Sequence, residues 1–398
     1  MLLQTTLPPA DENALSHSHA LTLLIREKIH NAGGWISFEQ FMNLALYAPG
    51  LGYYNGGATK FGWAGDFTTA PEISSLFGRT LARQLMQIAE QLNPFNILEF
   101  GAGSGQLASD ILLALEQFDH LPEKYLILEV SAELRERQRN WFLEKIPHLM
   151  SRIEFLQQLP MQFNGAILAN EVLDAMPVHM IVWQQDQILE RGVIWENEQL
   201  TWRDYLIQDT QLLDTARRLQ PWIMGDHDSN KTFHSYVSEI NLAARYFLKS
   251  LSQMLQQGVM LFIDYGFGRS EYYHAQRSQG TLMCHYRHHA HDDPLNLPGL
   301  QDITSHVDFS ALIDAADSNG LDLIGYTTQA HFLMNCGITE VLLQSASPGS
   351  VNYLSQANQL QKLVSPAEMG ELFKVIAFGK HISEPLIGFH RGDRSRLL

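Results

Sequence analysis

The stretch Ile97-Leu98-Glu99-Phe100-Gly101-Ala102-Gly103-Ser104-Gly105 joins an apolar run to an acid and then to glycine at every second position. Missing Cβ atoms let the backbone turn sharply and let a ligand approach it closely. A helix that follows such a turn also presents unpaired amides at its N-terminus. One unit further along, Glu129 closes YLILEV, where an acid can accept both hydroxyls of a nucleoside ribose; a solvated glutamate at a strand end is the plainer alternative. Upstream, Gly65-Asp66-Phe67-Thr68-Thr69-Ala70-Pro71-Glu72-Ile73-Ser74 sets two acids, three hydroxyls and a proline just before a helix, with Ser74 suited to cap it. By itself this cluster reads as a rigid polar turn.

A dinucleotide fingerprint needs glycine where Gln106 stands. The order E-x-G-x-G-x-G is instead that of class I methyltransferases. Six motifs occur in sequence: PGLGYY (Pro49–Tyr54), GDFTTAPEIS, ILEFGAGSG, LANEVLDAMPV (Leu168–Val178), FIDYG (Phe262–Gly266) and PGLQDITSHVDF (Pro298–Phe309). Together they resemble the MidA-like methyltransferase family, from about Ile36 to the carboxy terminus. The resemblance implies a class I core with a helical amino-terminal addition, S-adenosyl-L-methionine as donor and a protein substrate. It also implies that the GDFTTAPE loop folds over the cofactor. The cofactor set then comprises Gly65, Asp66, Thr69, Pro71, Glu72, Glu99, Gly101, Ala102, Gly103, Gly105, Glu129 and Asn170. Mitochondrial members of that family are complex I assembly factors that symmetrically dimethylate an arginine of a complex I subunit. This chain is expected to lack their presequence, which leaves its own substrate open, a respiratory complex I-type subunit included.

The acceptor is expected after the fourth strand, at Ala169-Asn170-Glu171-Val172-Leu173-Asp174. Methylating a guanidinium requires a planar cation held so that one nitrogen lone pair meets the methyl in line, a task for bidentate carboxylates. Glu171 is the first choice for that clamp, with Asp174 or Glu190 as a second; acids favoured by a helix dipole are the alternative. Asp264, at the end of the fifth strand, could face the acceptor, and Tyr265 could wall the pocket; a polar strand terminus is the ordinary alternative. His285, His288, His289, His291, Asp292 and Asp293 cluster, but their spacing matches no common zinc pattern and no metal is expected. His291 or His288 could serve as a base or pocket residue. Thr304 and Asp308 read as local caps, alongside Asp302, before a helix at Phe309.

These residues need a frame. Apolar runs at Asn96–Phe100, Tyr125–Val130, Ile153–Phe155 and Ala166–Ala169 read as buried parallel strands, and Val259–Asp264 as the most apolar strand. Helical spacing at Leu107–Phe118 and Ala132–Lys145 alternates with them, which predicts a doubly wound Rossmann-like α/β sheet. Val178–Trp183, Gln187–Trp195 and Gln199–Tyr205 alternate with period two and predict an antiparallel insertion over 178–235. Helices are expected at Leu15–Asn31, Phe38–Leu46 behind an N-cap at Ser37, Ser74–Leu92, Tyr236–Gln256 and Phe309–Asn319, with strands at Leu321–Thr327 and Phe373–Phe378. Gly266–His306 reads as a long irregular, substrate-side loop. The expected organisation is a helical lid region over 1–92, with a cofactor-covering loop at 47–74, and a methyltransferase core over 93–398.

Composition narrows the classes. The 398 residues carry 45 % hydrophobic residues, enough for a core, and a net charge of −16 that argues against binding a nucleic-acid backbone and suits a basic partner. Two cysteines, Cys284 and Cys336, without CxxC spacing, and no apolar segment near the roughly 20 residues of a membrane span, lead to the expectation of a cytoplasmic protein. The remaining alternatives are a small-molecule O- or N-methyltransferase, an assembly chaperone that binds cofactor without turnover, and, more remotely, a nicotinamide oxidoreductase.

Overall fold

The strand–helix alternation from Asn96 onward builds an open sheet in which most strands are covered on both faces. The computed structural model describes residues 7–56, 68–129, 131–224 and 235–398. These fall into two units: one comprises the chain before Thr68, Asp174–Tyr246 and Phe267–Asp308, the other Thr68–Leu173, Phe247–Gly266 and Phe309–Leu398. Residues Thr68–Leu92 therefore group with the sheet, and the preceding helices group with the antiparallel insertion.

In the second unit the strands lie in the order Ile153–Leu156, Tyr125–Leu128, Asn96–Phe100, Phe163–Asn170, Leu255–Phe267, Phe373–Lys380 and Asp322–Thr328. The first five run parallel, and Phe373–Lys380 is antiparallel to both its neighbours. Chain order reverses between Asn96–Phe100 and Phe163–Asn170, which opens a crevice at their carboxyl ends. Ile97, Leu98, Ala166, Ile167 and Val259–Phe262 are wholly buried, as strands packed on both faces require. On one face Ile97, Ala166, Val259 and Leu261 pack with Leu81, Leu85 and Ile88 of helix Ser75–Ala89 and with Ile111 and Leu115 of helix Gln106–Gln117. On the other, Phe247 lies edge-on to Phe100 and tilted against Phe262.

In the first unit, helix Phe38–Tyr47 starts at Ser37 with a reciprocal capping box to Gln40, both bonds 3.2 Å. The meander strands His179–Trp183, Ile188–Glu196 and Gln199–Leu206 pair antiparallel, and Ile36–Ser37 adds to Ile188–Glu196. Two expectations need correction. Tyr236–Ile240 is a strand paired with His179–Trp183, and the helix is confined to Leu242–Met254. All five residues of that strand are buried, so no alternation marked it. Nor is Gly266–His306 irregular. It holds short helical turns and a three-stranded sheet of Met283–Tyr286, His289–His291 and Asp302–Thr304.

One close approach governs the sheet. Gly165 and Gly258 sit side by side in adjacent strands at φ +145° and +147°. A Cβ on Gly165 would lie 1.9 Å from the Asn96 carbonyl oxygen, and one on Gly258 would lie 1.9 Å from that of Gly165. Only glycine allows that contact. Gly165→Ala should destabilise the chain by more than about 3 kcal/mol, read as a lowered denaturant midpoint.

Candidate active site

Strand Asn96–Phe100 ends at the switch point in a turn whose three glycines all have left-handed φ: +63° at Gly101, +52° at Gly103 and +88° at Gly105. Gly105 caps helix Gln106–Gln117. A Cβ on Gly101 would approach Val172 Cγ2 to 3.0 Å, so this turn faces the one that ends the fourth strand. Glu72, in the helical turn Ala70–Ile73 behind Thr69 and Pro71, accepts a hydrogen bond from the Ser104 hydroxyl. The structure thus brings part of the GDFTTAPE motif onto the glycine turn, while Gly65 and Asp66 lie outside the described residues. Glu129 follows the neighbouring strand, is buried, and accepts from the Ser131 amide at 2.9 Å.

On the facing side, Asn170 ends the fourth strand and donates through Nδ2 to Glu171 Oε1 at 3.1 Å. Glu171 has φ +53°, a strained conformation for a residue with a side chain, and its amide donates to the Ile263 carbonyl at 2.9 Å. Asp264 is buried beneath this turn: Oδ2 accepts from the amides of Val172 (3.2 Å) and Leu173 (2.9 Å), and Oδ1 accepts from that of Tyr265 (2.9 Å). Its carboxylate therefore serves the backbone that carries Glu171. This geometry matches the polar-terminus alternative for Asp264.

Three other candidates belong to the first unit. Asp174 is buried and its carbonyl accepts from the Ser305 amide at 3.0 Å. Glu190 lies 2.7 Å from His179 Nδ1, which engages the carboxylate considered for a second clamp. His291, on strand His289–His291, accepts from the Asp293 amide at 3.3 Å; burial holds its imidazole below the usual range, against the pull of Asp293 and Asp292. Among the described residues no group of three His, Cys, Asp or Glu could hold a metal ion.

Sequence reasoning missed Gln138, which donates from helix Ala132–Lys145 to the Gly103 carbonyl at 2.9 Å. Its available signal was spacing: Gln138 and Phe142, four apart, share the buried side of an otherwise charged helix. Asp110 was also missed; burial raises its carboxyl to about 6, opposed by a hydrogen bond from Gln106 and by the charge of Arg79.

Two observations test whether these residues fit a nucleoside cofactor. Three of the five positions of the glycine turn have no side chain, and the Asn170 Oδ1 atom on the facing turn is buried with no donor among the described residues. A cradle flanked by such an acceptor and by Glu129 fits an adenosine-bearing ligand.

An open sheet of this strand order, with a glycine turn after its first strand and an acid after its second, defines a class I methyltransferase fold. Residues 76–327 match the family described as S-adenosyl-L-methionine-dependent methyltransferases, and the chain belongs to that family. Among curated relatives it is 30 % identical to the Bos taurus protein arginine methyltransferase NDUFAF7, mitochondrial, over 93 % of this chain and 86 % of that one. It is 27 % identical to the Drosophila melanogaster homolog, over 96 % and 91 %. A Burkholderia thailandensis protein crystallised with S-adenosyl-homocysteine superposes with a TM-score of 0.92 at 46 % identity, over 99 % of this chain and all of that one. The donor is S-adenosylmethionine.

Glu99 provides a test of the floor of this site. Its carboxylate is buried and accepts from the Tyr125 hydroxyl at 2.8 Å; burial raises it from the usual 4.5 to about 7, and that bond offsets the rise only in part. The native state therefore binds this proton more tightly than the unfolded chain. Stability falls as pH rises from about 4.5, and the loss is complete above about 7. Glu99→Gln should be more stable than the wild type by up to about 3 kcal/mol at pH 8, with the gain shrinking toward zero at pH 4. Denaturant titrations at the two pH values measure it.

Proposed function

We propose that this protein transfers a methyl group from S-adenosylmethionine to an arginine of a protein substrate. The observation that carries the reading is Glu171, a carboxylate held in a left-handed conformation at the switch point, directly before the Val172 side chain that faces Gly101. Strained residues of this kind persist where the surrounding structure over-determines them, and they cluster at functional sites. The curated relatives named above as arginine methyltransferases support the choice of acceptor. So does the net charge of −16, which favours a cationic partner.

In this reading the backbone from Gly101 to Gly105 receives the methionine end of the cofactor, with Ala102 and the Thr69-Ala70-Pro71-Glu72 segment beside it. Glu129 accepts the ribose hydroxyls. Asn170 offers its Oδ1 from the facing turn, and Glu99 braces the first strand through Tyr125. When bound, S-adenosylmethionine supplies an electrophilic methyl whose transfer discharges a sulfonium. Glu171 accepts two guanidinium N–H groups and keeps the cation in one plane, so that a nitrogen lone pair can point along the line of transfer, and the proton that this nitrogen sheds as the N–C bond forms passes to the Glu171 carboxylate. Asp264 acts through the backbone as a positioning residue, because three amides converge on its carboxylate.

Two substitutions test the reading. Gly103→Val puts a branched side chain at φ +52° in the cradle and should abolish S-adenosylhomocysteine binding in calorimetry, with far-UV circular dichroism unchanged. Glu171→Gln should leave that affinity intact and lower methyl transfer to an arginine-containing protein acceptor by about 100-fold or more. Undiminished transfer in Glu171→Gln would remove the clamp. Cofactor and partner binding by a wild type without turnover would favour the chaperone alternative.

A further inference from the structure

We infer that Gln138 is a positioning residue for the cofactor, fixing the distance between the glycine turn and the acid assigned to the ribose. The inference rests on the reading of Glu129 given above. Gln138 comes from the middle of helix Ala132–Lys145 and is wholly buried. Its Nε2 donates to the Gly103 carbonyl at 2.9 Å and to Glu129 Oε2 at 3.4 Å. Both partners are acceptors, so the amide can face them only with its nitrogen. Meanwhile the Ser131 amide donates to Glu129 Oε1 at 2.9 Å. Each carboxylate oxygen thus has a donor of its own, one from the start of the helix and one from its second turn.

The chemistry of the side chain is specific to this place. One nitrogen with two N–H groups can serve two acceptors on different segments at once. A methionine or leucine would fill the volume and serve neither. A glutamate would set negative charge against a carbonyl and a carboxylate. The cost of the arrangement is visible as well: Gln138 Oε1 is buried and meets no donor among the described residues. A buried acceptor left unsatisfied is unfavourable, and a residue needed only for packing would be better apolar. What the amide contributes is a bridge from Gly103, which lies under the methionine end of the cofactor, to Glu129 at its sugar. Removing the bridge should loosen the grip on the ribose while the methyl-transfer geometry at Glu171 stays as it is.

Calorimetry on the full chain separates this role from packing. The probes are S-adenosylhomocysteine and its analogue lacking both ribose hydroxyls. Gln138→Met should weaken S-adenosylhomocysteine about tenfold and the dideoxy analogue by clearly less. In turnover, KM for S-adenosylmethionine should rise with kcat little changed. Gln138→Glu should bind weakly at pH 8 and recover toward wild type near pH 6, as the introduced carboxyl takes up a proton and becomes a donor. Equal losses for both ligands in Gln138→Met, or no loss for either, would overturn the inference, as would a Gln138→Glu variant that shows no recovery. A wild type that does not discriminate between the two ligands would overturn the ribose reading of Glu129 itself, and the inference with it. Discrimination by the wild type combined with equal losses in the variant would overturn the inference alone.

Discussion

A single carboxylate holds the carboxyl edge of the sheet in shape. Asp264 ends the fifth strand and accepts the amides of Val172, Leu173 and Tyr265, which ties the turn leaving the fourth strand to the fifth. The turn it enforces places Glu171 at positive φ, where a side chain is ordinarily disfavoured. Buried carboxylates that accept several backbone N–H groups are well compensated, and Asp264 meets that condition. The strain at Glu171 and the satisfaction of Asp264 belong to one device.

The glycine turn depends on the same edge from the other side. Gly101 keeps a side chain away from Val172, Gly105 keeps one away from Phe142, and the turn is tied through Ser104 to Glu72 and through Gly103 to Gln138. Two acids near it are held differently. Glu99, wholly inside the sheet beside Tyr125, holds its proton up to about pH 7, while Glu129 receives donors on both oxygens and serves as an acceptor.

The first unit is organised around another buried acid. Glu239, in strand Tyr236–Ile240, accepts from the amides of Thr281 and Leu282 and from the hydroxyls of Thr281 and Tyr272, at 3.0–3.1 Å. Gly280 must be glycine there, because a Cβ would lie 2.2 Å from Glu239 Oε1. This hub orders the stretch after Gly266, which carries His291 and Asp302, into a small sheet.

What the sequence determined by itself is local in origin. Apolar runs of strand length, the alternating meander, the Ser37 N-cap and the glycine turn after Phe100 each depend on neighbours a few residues away. The helix Ala132–Lys145 was legible to the residue for the same reason. The family, and with it the cofactor, also followed from ordered short motifs. Tertiary structure alone decided the rest. Tyr236–Ile240 is buried on every residue and pairs with a strand more than 50 positions away, so neither periodicity nor propensity distinguished it from the helix that follows. Asp264 reads in sequence as a strand-end acid open to a substrate; only the fold brings the Val172 and Leu173 amides to it across about 90 residues. Gln138 hides in a charged helix until Gly103 and Glu129 arrive on either side of its amide. Hydrogen bonds between distant segments leave no period in the chain, because their geometry exists only once the strands are side by side.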